Sequence, residues 1–173
     1  MARGLPGAVL LAAAALALAG CAAHGPVLSP VVAERYEPRV ELEATPFYAQ
    51  EQYQCGPAAL ATVLSAAGVA VTPEQLVPAI YLPGRRGSLQ PELLAATRQH
   101  DRIPYVLPGS TDALVATLAG GFPVLVLQKL GAGPVPGWHY AVVVGYDSPR
   151  DRVVLRSGTE QRREMNASHF LAT

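Results

Sequence analysis

An excess of charge of either sign is missing from this sequence: 13 Lys and Arg residues balance 13 Asp and Glu, and charged residues make up only 15% of the chain. With no positive surplus to neutralise a phosphate backbone, nucleic acid is not an expected partner. Lysine is nearly absent; Lys129 is the only one, which we read as a codon bias toward arginine. Cysteine is down to Cys21 and Cys55, too few for a disulfide framework or a four-thiolate metal site. There is no internal repeat, and the one glycine-rich basic loop, residues 82–87, lacks the preceding strand and the Lys-Ser/Thr ending of a phosphate cradle, so it reads as a solvated turn. What is present is a leader followed by 173 − 20 = 153 residues, enough for one ordinary domain.

Arg3 precedes an apolar run over residues 5–19, of signal-peptide length and short for a spanning helix, which needs about 20 residues. The run ends in Leu18-Ala19-Gly20-Cys21, which resembles the lipobox of bacterial lipoproteins. The resemblance implies cleavage before Cys21, a diacylglycerol on its sulfur, and, because Ala22 and not aspartate follows, an outer-membrane lipoprotein facing the periplasm. Cys55 is then left without a disulfide partner in an oxidising compartment, either buried and inert or kept for chemistry. Residues 21–45, with Pro26, Pro30 and Pro38, read as an extended tether between membrane and domain.

Periodicity organises the rest. Cys55-Gly56-Pro57 opens a helix with Leu60, Val63 and Leu64 on one side and Gly68 as its stop. Thr72-Pro73-Glu74-Gln75 is a capping box that starts a second helix, which Pro78 should end or kink. Helices are also expected over residues 88–99 and 111–118, and a short strand at Tyr105-Val106-Leu107. The period then changes. Residues 124–127 and 140–146 are continuous apolar runs, expected as strands buried on both faces, and Val153-Val154-Leu155 returns as a third strand after a turn at 147–151. Helices followed by an antiparallel sheet make the class α+β, with N-terminal helices packed on the sheet.

The reactive side chains are few. A thiolate nucleophile needs positive potential and a base within reach. Cys55 stands at the mouth of a helix, where the dipole and free N–H groups favour S⁻, and Gly56 leaves room for a substrate backbone to approach. Buried hydrophobe at a helix start is the bland reading of the same cysteine. Of four histidines, His24 lies in the tether, His100 closes a helix where its dipole suits imidazole, and His169 sits in a polar stretch near the end. His139 opens the most apolar strand, held by a rigid element yet reachable, which suits a general base. One thiol and one histidine are too few ligands for a metal, so no cofactor is expected.

Residues 46–50 (PFYAQ) with 53–61 (YQCGPAALA) resemble the nucleophile segment of the C39-like cysteine peptidases, and residues 137–146 (GWHYAVVVGY) are similar to that family's histidine strand. The likeness runs over residues 46–159 and is narrowest to stand-alone lipoprotein members, which sets a peptidase domain at 46–173. It implies a papain-like fold, a peptide or protein substrate, Cys55 as nucleophile and His139 as general base. It also implies a glutamine ahead of the cysteine that donates to the oxyanion; Gln50 fits that register, with Gln52 and Gln54 as rivals. The family cuts leader peptides after Gly-Gly, and carries an aspartate after the strand that pairs with the histidine strand. Asp147 lies eight residues along the strand from His139, about 26 Å away. Folding the hairpin at 148–149 brings residues 157–159 beside His139 and puts Ser157 where the aspartate is expected. Relatives also continue beyond a helix starting at Asn166 into another strand, so the sheet is expected to lack an edge strand. Two functions compete: a lipid-anchored cysteine peptidase working through Cys55, His139, Gln50 and Ser157, and an inactive papain-like module that binds an exported peptide.

Overall fold

The apolar run at residues 140–146 is too hydrophobic to face water on either side, so the chain must pair both its edges and cover both its faces. The computed structural model, which describes residues 25–33, 35–50, 54–131 and 137–173, builds the fold around that strand. In chain order the elements are α1 (Ser29–Val32), β1 (Arg39–Glu41), α2 (Cys55–Ala66), α3 (Pro73–Ile80), α4 (Gln90–Gln99), α5 (Thr111–Ala119), β2 (Val124–Leu130), β3 (Gly137–Asp147), β4 (Arg152–Ser157), β5 (Glu160–Asn166) and α6 (Ala167–Leu171). The class is α+β, as expected.

One edge of β3 is shared. β2 pairs antiparallel with its first half, from Leu130↔Gly137 to Val124↔Val143, and β1 pairs with its end, from Glu41↔Gly145 to Arg39↔Asp147. β4 takes the other edge, and β5 completes the sheet beyond β4. Side chains alternate along β3. Tyr140, Val142 and Val144 face a core made with Leu60 and Leu64 of α2, Leu76 and Ile80 of α3, and Leu93 of α4. Ala141 and Val143 face a second core with Val115 and Leu118 of α5, Phe170 of α6, and Leu28 and Val32.

The structure corrects several expectations. The described part of the segment read as an extended tether is packed: Leu28 and Val32 are fully buried, the Asp151 carboxylate accepts from the Val27 and Leu28 N–H groups at 2.9 and 3.0 Å, and β1 joins the sheet. Its scattered apolar residues, Leu28, Val32, Val40 and Leu42, are what the core takes up. Tyr105-Val106-Leu107 is not a strand; Pro104 and Pro108 bracket it and no strand lies alongside, leaving Tyr105 78% exposed. β2 pairs only with β3 and is not buried on both faces, Leu127 being 46% exposed. Pro78 does not end α3 at its own position, since the helix runs on to Ile80. α4 begins at Gln90, two residues later than expected. The capping box of α3 is present, with the Thr72 N–H donating to Gln75 Oε1 at 2.8 Å. Residues 82–87 form a turn closed by a Leu82↔Gly87 bridge.

Gly145 sits where the register between β3 and β4 shifts at a bulge, and directly under β1. A Cβ on Gly145 would run into the Val40 carbonyl oxygen and lie 2.9 Å from Glu41 Cα. Gly145→Ala is therefore expected to destabilise the domain by about 1–3 kcal/mol. Gly109→Ala, with nothing near its Cβ, serves as the control in urea unfolding. Equal midpoints for the two variants would disprove the close β1 contact.

Candidate functional site

Cys55 is the first residue of α2 and half-buried. Gln54 precedes it without capping the helix through its side chain, and the first helical backbone bond runs from Ala58 N–H to Gln54 O. The N–H groups of Cys55 and Gly56 therefore open toward the site, where Pro57 has none to leave unpaired. Gly56 is needed for a reason the sequence does not show. A Cβ there would collide with the Ser88 side chain, 2.6 Å from Ser88 Cβ, so the glycine admits the 87–89 loop against α2. The same position lies 3.7 Å from Tyr140 Cδ2, which puts the tyrosine ring of β3 against the first turn of the cysteine helix.

Gln50 ties three segments together. Its backbone N–H donates to Gly158 O at 2.9 Å, its Oε1 accepts from Gly158 N–H at 3.1 Å, and its Nε2 donates to Tyr140 O at 3.2 Å. Among the described residues one of its two amide N–H groups is thus engaged and one remains. Gly158 takes a φ of +61° in the turn between β4 and β5, a conformation that favours glycine. This turn carries Ser157, which is buried and whose Oγ lies 3.0 Å from His139 Nε2. With Ser157 on Nε2, the nitrogen left for another partner is Nδ1.

His139 has its pKa lowered below the usual imidazole value, first by burial and second by the positive charge of Arg163. The neutral, proton-accepting ring is therefore favoured. Tyr140 has its hydroxyl raised above the usual phenol range by burial, then by the negative charges of Cys55 and Glu92. Ser88 Oγ and Glu92 Oε2, buried atoms near the cysteine helix and Tyr140, have no hydrogen-bond partner among the described residues.

The candidates thus fall into two linked groups. His139, Ser157 and Gln50 meet around the turn at Gly158, and Cys55 packs into the core that contains Tyr140. Among the described residues no hydrogen bond joins Cys55 to His139; the link between the groups runs through Tyr140, which follows His139 on β3. Sequence reasoning did not single out Tyr140, although its place at the start of the most apolar run carries the signal, since such a residue is expected to be buried under the helices. Gln54 lies at the helix start, whereas Gln52, Cys21 and His24 lie outside the described residues. His100 caps α4 and His169 is exposed on α6. A cleft of about 1400 Å³ is lined by Tyr140 but by none of Cys55, His139, Gln50 or Ser157.

Helices on both faces of a curled antiparallel sheet, with a cysteine opening the central helix and a histidine on the central strand, define an α+β fold of the papain-like cysteine peptidase type. The model of the Peptidase C39 like family matches residues 42–172, and the chain belongs to that family. Among solved structures, a Bacillus anthracis protein assigned as a C39-like peptidase superposes with a TM-score of 0.60 at 17% identity, covering 78% of this chain and 92% of that one. At that identity the likeness speaks for the fold alone. No curated protein matches the chain.

Because a depressed His139 pKa keeps the ring neutral, its contribution to stability is present above the ordinary value of 6.5 and is lost as pH falls through the lowered folded value. Arg163→Gln is expected to raise the His139 pKa toward 6.5, an effect that shrinks with added salt because Arg163 is well exposed. Imidazole proton NMR titration, assigned with His139→Asn, checks it; an unmoved titration removes Arg163 from the site's electrostatics.

Proposed function

We propose that the protein is a cysteine peptidase of the cell envelope in which Cys55 attacks a peptide carbonyl and His139 carries the proton. The observation that carries this reading is the hydrogen bond between His139 Nε2 and buried Ser157. If Ser157 accepts from Nε2–H, the lone pair sits on Nδ1, and the lowered pKa keeps it unprotonated at neutral pH. The thiol proton passes to Nδ1 as Sγ bonds to the carbonyl carbon. The resulting oxyanion is met by the Cys55 N–H and the free amide N–H of Gln50. Collapse breaks the C–N bond, with the imidazolium giving its proton to the leaving amine. Water, deprotonated by the same ring, then hydrolyses the thioester. Hydrogen bonds of this kind commonly tighten only when substrate binds. Ser157 orients the ring but supplies no negative charge, so it stabilises the imidazolium less than a carboxylate does.

A second reading, an inactive peptide-binding module, is favoured by two observations: Gln50 already donates to Tyr140 O, and Cys55 and His139 share no hydrogen bond in the described structure. The two readings separate on Cys55. In the peptidase, Cys55→Ala abolishes hydrolysis of a fluorogenic peptide library, and His139→Ala slows alkylation of Cys55 by iodoacetamide. Ser157→Ala lowers kcat/KM by roughly fivefold, the worth of one net hydrogen bond of about 1 kcal/mol. Alkylation rates unaffected by His139→Ala would leave the binding module.

We further propose that Cys21 carries a lipid that anchors the chain to the outer membrane, facing the periplasm. The leader and lipobox support it; among the described residues no helix is long and apolar enough to cross a membrane. Cys21→Ser is expected to abolish incorporation of labelled fatty acid and to shift the protein from the membrane pellet to the soluble fraction. Unchanged pelleting would sink the anchor.

A further inference from the structure

The face of the sheet that α2 covers continues past the start of that helix. Tyr140, Val142 and Val144 lie under the helical layer, and Cys55 marks where α2 begins. Two residues further out on the same face of β3 is Trp138, 61% exposed. Register pairs Trp138 with Lys129 and Tyr140 with Leu127 on β2, and paired residues of an antiparallel ladder share a face. Leu127, Lys129 and Trp138 thus form an exposed strip that leads from Tyr140, the residue against the cysteine helix, toward the Leu130↔Gly137 end of the β2–β3 pair. Large apolar side chains gathered in the open beside a reactive centre need an occupant.

The charge on this strip narrows what the occupant is. Lys129 is exposed, and no carboxylate pairs with it among the described residues, although six ion pairs engage arginines elsewhere. The strip also opens along Leu127 into the cleft of about 1400 Å³, whose walls include Ile103, Tyr105 and Phe122. An ammonium group between an indole and a leucine, beside an apolar cleft, complements a segment that carries a bulky apolar side chain next to an acidic one.

We propose that Leu127, Lys129 and Trp138 form a specificity subsite for an acidic, apolar peptide segment that leads the scissile bond to Cys55. This rests on the reading of Cys55 as the nucleophile, but binding at the strip can be measured without turnover. Trp138 is the only tryptophan in the chain, so its fluorescence reports occupancy of this one place.

The test uses the full chain carrying Cys55→Ala, titrated with a blocked hexapeptide in which phenylalanines flank a glutamate, and with the same peptide bearing lysine in place of the glutamate. Saturable change in Trp138 emission is expected with the acidic peptide, with Kd at least tenfold weaker for the basic one. Adding Lys129→Glu should reverse that preference, and Lys129→Gln should level it, with circular dichroism verifying that each variant is folded. No saturable change with either peptide, equal Kd values in the Lys129 protein, or a preference unmoved by both Lys129 variants would each overturn the subsite. Charge-selective binding without cleavage by the unsubstituted chain would overturn the peptidase reading and leave the subsite standing. Cleavage without charge selectivity would do the reverse.

Discussion

The double burial of β3 is the constraint on which the rest of the molecule depends. A strand with no polar face must satisfy every backbone group laterally and every side chain vertically. The chain meets this with strands on both edges and a separate helical core on each face. One edge is too long for β2 alone, and β1 completes it from a part of the chain rich in proline. Gly145 makes that possible, since only a residue without Cβ lets β1 come so close, and the bulge beside it sets where β4 lies against β3. Loss of that register would move Ser157 along the strand and away from the imidazole.

The candidate site is a by-product of this arrangement at one end of the sheet. The start of β3 holds His139 beside Ser157 of the β4–β5 turn and the Tyr140 ring against the first turn of the cysteine helix. Gln50 holds these pieces through three bonds to main-chain groups of Tyr140 and Gly158, so it is as much a structural clamp as a donor for chemistry. The hydrogen-bond partner of the imidazole is the uncharged Ser157 hydroxyl. With burial and Arg163 both opposing protonation, no charged group among the described residues lies at hydrogen-bond distance to favour the imidazolium. That suits a base that begins neutral and takes its proton from a thiol during attack, more than one held in a permanent ion pair.

Much of this was legible in the residues. The class followed from the change of hydrophobic period between residues 111–118 and 124–146, because burial demands that pattern wherever the elements finally pack. The helix starts at Cys55 and Thr72 followed from local capping and proline chemistry, which depends on residues three or four apart. Ser157 followed from counting back along a hairpin. What stayed hidden had no local signature. β5 is charged over most of its length, since it lies at an edge and shows most of its side chains to solvent. Leu28 and Val32 gave too little periodicity to stand out from a proline-rich stretch, and their burial is decided by α5 and α6, which come far later in the chain.

The sequence by itself therefore determined the elements whose stability is local or whose burial is complete, because those are properties of composition and short spacing. Only the tertiary structure decided that the proline-rich segment is part of the core, that Gly56 serves Ser88, that Gln50 clamps Tyr140 to Gly158, and that the Tyr140 ring lies against the first turn of the cysteine helix. Each of these is a contact between residues far apart in the chain. The bulge at Gly145, the pairing of a shared strand edge and the close approach of a loop to a helix set such contacts, and none of them is written in the spacing of neighbours.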